Sequence, residues 1–112
     1  MADCIFCGIA AGEVPATVVA ENGAALAFQD LNPKAPVHVL VIPREHVDDV
    51  HAIRDGATLV AMYDLARQVA SERGVADGGY RLVFNIGADS GQSVLHAHLH
   101  VLGGRKLDWP PG

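Results

Sequence analysis

The sequence predicts an α+β fold, a five-stranded antiparallel sheet with one long and one short helix. Asn22-Gly23 splits two apolar runs within residues 16–29, the strongest short signal for a β-hairpin. Between Gly56 and Gly74, and in no comparably long stretch elsewhere, apolar residues recur at spacings of three and four, as one helix face requires. The resulting order, two strands, a third, a helix and two more strands with hairpin-length gaps, argues for an antiparallel sheet with the long helix on one face.

In chain order, Ile5 to Ala11 adds the short helix, and the hairpin turns at Glu21-Asn22-Gly23. Asn32-Pro33 and Ala35-Pro36 mark a turn. Val37 to Pro43 (VHVLVIP) is β-branched and apolar enough for a central strand. Leu59, Met62, Leu65, Ala66 and Val69 form the buried helix face, and Gly74 is a natural stop. Tyr80 to Asn85 is a strand, the loop GADSGQS follows, and Val94 to Leu102 is the last strand. The apolar-rich edge Tyr80 to Phe84, left open, invites pairing, and a two-fold partner would cover it.

A chain of 112 residues is one domain, residues 1–112, long enough to form a core without disulfide staples. With 50% apolar and 19% charged residues it is not disordered. Thirteen acidic against eight scattered basic residues, a formal charge of −5, argue against a nucleic-acid polymer as partner. The start MADCIFCGIAAGEV has no basic leader, and no stretch of about 18 apolar residues appears, so a cytoplasmic protein without membrane association is expected. Two cysteines in that setting are not expected to form a structural disulfide.

His96-Ala97-His98-Leu99-His100 falls inside the last predicted strand. Alternation puts the three imidazoles on one face and Leu95, Ala97, Leu99 and Val101 on the other, as core. A single buried histidine is ordinary packing, but three in a row hide too much polar surface to be packing alone. Two chemistries use such a row. One is metal ligation, although imidazoles spread over about 13 Å cannot all reach one ion. The other is nucleophilic or acid–base catalysis, which needs a ring partly neutral at pH 7.

The run Gly91-Gln92-Ser93 through His96-Ala97-His98-Leu99-His100 to Gly103-Gly104-Arg105, closed by Trp109-Pro110-Pro111-Gly112, resembles the histidine triad (HIT) family, specifically its Hint branch. Ile5-Phe6, Phe28-Gln29-Asp30 and residues 35–43 extend the match over nearly the whole chain. The resemblance implies hydrolysis of purine nucleoside phosphoramidates, a P–N cleavage through a nucleotidyl-histidine. His98 is the implied nucleophile, with His100, His38, Ser93 and the backbone of the Gly91 loop as charge-stabilising donors. Ile5, Phe6, Ile9, Phe28 and Leu31 match the walls around the base, and Asp30 the carboxylate on the ribose. Asn85, Gly91, Gln92 and His96 match positions near the substrate. Read without the family, Ile5, Phe6, Ile9 and Phe28 are ordinary core and Asp30 an ordinary turn residue. The resemblance also implies a homodimer with a joined ten-stranded sheet, in which Trp109 reaches the partner's site. Dinucleoside polyphosphate hydrolysis, as in the Fhit branch, and a zinc-stabilised nucleotide-binding module are the rival readings.

Cys4-x-x-Cys7 has the spacing of half a tetrahedral zinc site. The other readings are a pair of small buried residues and a redox pair. The remaining two ligands would come from far along the chain, with His46 and His96 as candidates, and prokaryotic HIT proteins resemble that arrangement. Zinc held this way would be structural.

Overall fold

The computed structural model describes residues 4–112, running α1 (Ile5–Ala10), β1 (Val18–Glu21), β2 (Ala25–Gln29), β3 (Val37–Pro43), α2 (Gly56–Glu72), β4 (Tyr80–Phe84) and β5 (Leu99–Gly103). The strands form one antiparallel sheet in the order β1-β2-β3-β5-β4, so the predicted fold class is the observed one. Asn22 makes the hairpin turn: its Oδ1 accepts the Ala24 and Ala25 N–H groups at 3.1 and 2.9 Å, and its Nδ2 donates to the Ala61 carbonyl of α2 at 3.0 Å. Turn and helix are thereby tied together. Asp55 caps α2 by accepting the Ala57 N–H at 2.9 Å, and Gly74 follows its end at φ +74°, a conformation that only glycine adopts without strain.

β2 and β3 are buried on both faces, which is why they read as continuous apolar runs. On one face Val39, Val41, Leu99 and Val101 pack against Met62, Leu65 and Val69 of α2. On the other, Leu26, Phe28, Leu40 and Ile42 pack against Phe6 and Ile9 of α1. Each such side chain contributes about 1.5–3 kcal/mol on leaving water, so the short helix covers a second core rather than decorating the sheet. Gly8 allows the close approach behind α1, since a Cβ there would lie 2.5 Å from Val14 Cγ2.

The last strand begins at Leu99, not at Val94. The β3–β5 register pairs Val41 with Leu99, so the next pairing in that ladder would set residue 97 opposite Pro43, which has no N–H to donate. Ala97 instead donates to the Val47 carbonyl at 2.7 Å, and residues 94–98 leave the sheet. Two expectations fall with the longer strand. His96 does not share a strand face with His98 and His100, and Leu95, expected in the core, is 64% exposed.

The GGR segment has a steric origin: a Cβ on Gly103 would meet Val75 at 2.9 Å, and Gly104 sits at φ +90° against Pro36. β4 is a sheet edge, and beside it the exposed Tyr63 of α2 meets Phe84 edge-to-face at 6.4 Å; Val60 of α2 is exposed as well. Among the described residues no helix is long and apolar enough to cross a membrane.

Candidate functional site

The α1 face of the sheet carries a cleft of about 350 Å³. Ile5, Phe6, Ile9, Phe28 and Leu31 line it, as expected for an apolar wall, with Leu31 88% exposed at its mouth. Asp30, Ser93, His98 and His100 supply its polar side. Val14, Pro15, Ala16, Gln29, Asn32, Leu40 and Val94 also line it and are not among the expected site residues. The first three belong to the link after α1, which has no periodicity to reveal it. Leu40 was legible as the inward neighbour of His100 once the register was known.

At the polar end the backbone sets the tautomers. His98 Nδ1 lies 2.8 Å from the His96 carbonyl, which can only accept, so Nδ1 carries the proton and Nε2 keeps a lone pair. His38 Nδ1 accepts the Lys34 N–H at 3.0 Å, so its Nε2–H donates to His100 Nδ1 at 2.9 Å, with Asp30 Oδ2 a second acceptor at 3.3 Å. The proton of His100 therefore sits on Nε2, a buried atom with no partner among the described residues. An unmade hydrogen bond at a buried donor is costly, and one aimed at a polar cleft is a place for an anionic oxygen. Burial, then the neighbouring His98 and His38, push the His100 pKa down to about 4, so at neutral pH it is an uncharged donor. Burial also lowers the pKa of His38. His38 stands behind His100 and does not line the cleft.

The other expected positions are distributed as follows. Gly91, at φ +88°, spends its N–H on the Ala88 carbonyl at 3.1 Å and is not on the cleft wall. Gln92 braces the loop: its Oε1 accepts the Gly87 N–H at 2.9 Å, and its Nε2 donates to the Asp48 and Val94 carbonyls. Asn85 follows β4, half-buried, away from the cleft lining. Trp109 is 82% exposed, and its tail is held beside β4 by Arg81 Nη2 donating to the Asp108 carbonyl at 2.9 Å.

A second cluster is reached two residues upstream, at His96. Cys4 is the N-cap of α1, its Sγ accepting the Cys7 N–H at 3.3 Å, which sets both thiols side by side. His96 Nε2–H donates to the Pro43 carbonyl at 2.9 Å, and His46 Nε2–H to Asp48 Oδ1 at 2.9 Å. Both rings thus turn Nδ1 lone pairs toward the sulfurs, at 3.3 and 3.6 Å from His96 and 3.4 Å from His46. A tetrahedral Cys2His2 zinc site with bonds of about 2.3 and 2.1 Å has sulfur–nitrogen edges of about 3.6 Å, so the donor set fits. The oxygen partners on the far nitrogens are what orient ligating imidazoles. Burial opposes ionisation of both thiols; hydrogen bonds from the Cys7 backbone and side chain and from His46 outweigh it at Cys4, whose pKa is lowered. At Cys7 burial and the adjacent Cys4 raise it. The two thiols thus oppose each other's ionisation, and a cation between them would let both ionise.

Asp30, His38 and His100 also converge, their donor atoms lying within 4.8 Å of one another. With Nδ1 of His38 engaged by a backbone N–H and Nε2 protonated, that group offers no comparable set of lone pairs. Tautomers, more than proximity, separate the two clusters.

The profile of the HIT domain family matches residues 11–107. The solved structure of a HIT family hydrolase from Legionella pneumophila Philadelphia 1 superposes with a TM-score of 0.94 at 46% identity, covering 98% of this chain and 100% of that one. An uncharacterized HIT-like protein of Synechocystis sp. is 47% identical, covering 98% of this chain and 97% of that protein. A 14 kDa zinc-binding protein of Zea mays is 42% identical, over 96% of this chain and 87% of that protein. With a match of this extent in both sequence and fold, the chain belongs to the histidine triad family.

Proposed function

We propose that the chain hydrolyses purine nucleoside phosphoramidates in two steps through a nucleotidyl-histidine on His98. The observation that carries this reading is the pair at the polar end of the cleft, a His98 Nε2 lone pair beside the orphan Nε2–H of His100. The base packs among Ile5, Phe6, Ile9, Phe28 and Leu31, and Asp30 accepts from the ribose hydroxyls. His98 Nε2 attacks the α-phosphorus, the P–N bond to the amine breaks, and the amine leaves with a proton from solvent. Because Nδ1–H stays on the His96 carbonyl, the nucleotidylated ring is cationic and a good leaving group when water attacks phosphorus. His100 Nε2–H donates to a non-bridging oxygen in both steps, and the exposed Ser93 hydroxyl is placed to do the same. His38 is a positioning residue that fixes the His100 tautomer.

No Lys or Arg lines the cleft among the described residues, which favours a substrate with one phosphorus over a dinucleoside polyphosphate. Cys4, Cys7, His46 and His96 would hold structural zinc, which supplies folding energy and, with all four positions filled by protein, no open site for substrate. The name of the maize relative supports that assignment, and the likeness to the Legionella hydrolase supports hydrolytic chemistry. A homodimer through β4 and the exposed face of α2 would put the Trp109 tail at the partner's cleft; light scattering at micromolar concentration should give the mass of two chains.

Rapid-quench incubation with an adenosine phosphoramidate, followed by intact-protein mass spectrometry, tests the mechanism. The expected result is a transient added nucleotide that maps to His98. Turnover without any adduct would replace the two-step mechanism with direct attack by water, and nucleotide binding without turnover would favour a binding module.

A further inference from the structure

We propose that metal at the Cys4, Cys7, His46 and His96 cluster and nucleotide in the cleft bind with positive coupling, the cluster acting as a positioning site for the base wall and the nucleophile. The inference rests on the zinc and nucleotide readings above and adds a link between them.

Two routes connect the sites. The first is α1. Six residues are far fewer than the roughly 12–15 at which an isolated helix becomes even marginal, so α1 holds its place only through its anchors. Its N-terminal anchor is the thiol pair, whose only contacts with other elements among the hydrogen bonds of the described residues are the Nδ1 atoms of His46 and His96. Phe6 lies between the two cysteines in the chain and projects into the cleft. Its ring meets His98 edge-on with centroids 5.2 Å apart, His96 at 5.9 Å and Phe28 at 5.4 Å. Movement of either sulfur moves that wall.

The second route is His96 itself. Its ring faces the sulfurs through Nδ1 and Pro43 through Nε2, while its carbonyl receives the His98 Nδ1–H. The residue that would ligate metal therefore also selects the tautomer of the nucleophile. A cation that fixes the thiols and this ring removes part of the ordering that a nucleotide must otherwise impose on Phe6 and His98. Coupling of binding equilibria is reciprocal, so nucleotide must tighten metal by the same factor.

The test measures zinc affinity of the full chain by competition with a chromogenic chelator, with and without saturating adenosine monophosphate, and nucleotide affinity by titration calorimetry on zinc-loaded and stripped protein. Both affinities should rise by the same factor, at least about fivefold. Phe6→Leu, which keeps an apolar side chain in the wall and leaves the His96 route intact, should retain stoichiometric zinc and lower the factor below the parent's; an unchanged factor overturns the α1 route. Equal zinc affinity with and without nucleotide, in protein that binds both, overturns the coupling and leaves the two readings intact. Protein that takes up no zinc, or no nucleotide, overturns that reading and the coupling with it. Far-UV circular dichroism of the stripped protein should stay that of the folded chain; its loss would make any linkage one of global folding, and the positioning role would fail.

Discussion

His96 and His98 are separated by one alanine, yet the two clusters they belong to are prepared for different tasks. At His96 a carbonyl takes the proton of Nε2 and leaves Nδ1 bare beside two sulfurs. At His98 a carbonyl takes the proton of Nδ1 and leaves Nε2 bare beside the cleft. The same side chain turns its lone pair to two sulfurs or to a cleft according to which nitrogen the main chain claims. The teaching of the pair is that a histidine's role is read from its hydrogen-bond acceptors before its pKa.

That contrast is open to direct attack. His98→Ala should lower phosphoramidate turnover by at least about a thousandfold, since water must then attack unaided, while zinc content by elemental analysis stays at that of the parent. Activity within tenfold of the parent would merge the two clusters again. The converse change, Cys4→Ser with Cys7→Ser, should abolish zinc binding. If free zinc stands a thousandfold above its Kd, the loss is about 4 kcal/mol, or roughly 15–20 °C in thermal unfolding. An unchanged melting temperature would mean that the thiols are only packing residues.

A smaller effect separates His100 from an ordinary surface histidine. Its folded pKa of about 4 lies below the unfolded value near 6.5, so between those limits the unfolded chain binds more protons and stability falls as pH falls. The contribution is up to about 1.4 kcal/mol per pH unit, complete above pH 6.5 and lost by pH 4. Melting curves of parent and His100→Gln from pH 7 to 4.5 should converge as pH drops, because contributions from the other cluster cancel in the difference. Curves that stay parallel would remove the buried neutral state of His100. Smallest of all, Leu95→Ala should change stability by less than about 0.5 kcal/mol, against 2–5 kcal/mol for Leu99→Ala, when both are measured by urea unfolding.

Those two leucines mark where sequence reading worked and where it stopped. β3 was legible to the residue, Val37–Pro43, because a strand buried on both faces leaves an uninterrupted apolar run. The hairpin and α2 were legible for equally local reasons, Asn22-Gly23 and one 3.6-residue period. Alternation at residues 95–101 looked like one strand, but the residue that ends the ladder, Pro43, lies on a different strand and becomes opposing only through register. The motifs found the polar end of the cleft and the metal-type donors Cys4, Cys7, His46 and His96. They did not find Val14, Pro15 and Ala16, because a link that closes a pocket from above carries no pattern of its own. Nor did they reveal that His38 meets His100 and not the cleft, or that Gly91 uses its amide inside its own turn; both depend on hydrogen-bond partners that spacing does not encode.

The early end of the ladder at Leu99 has a consequence for how such a molecule changes over generations. His38 and His100 sit within strands, where altering the backbone costs ladder bonds on neighbouring strands. Cys4, His46 and His96 lie outside them, on a helix cap and two connections, and Cys7 is in the first turn of α1. A lineage could therefore exchange the four positions of the Cys/His cluster for apolar packing that pins α1 in the same place, with no strand rebuilt. The donor chain of His38 and His100 has no such freedom, and the sheet would have to be redesigned to move it.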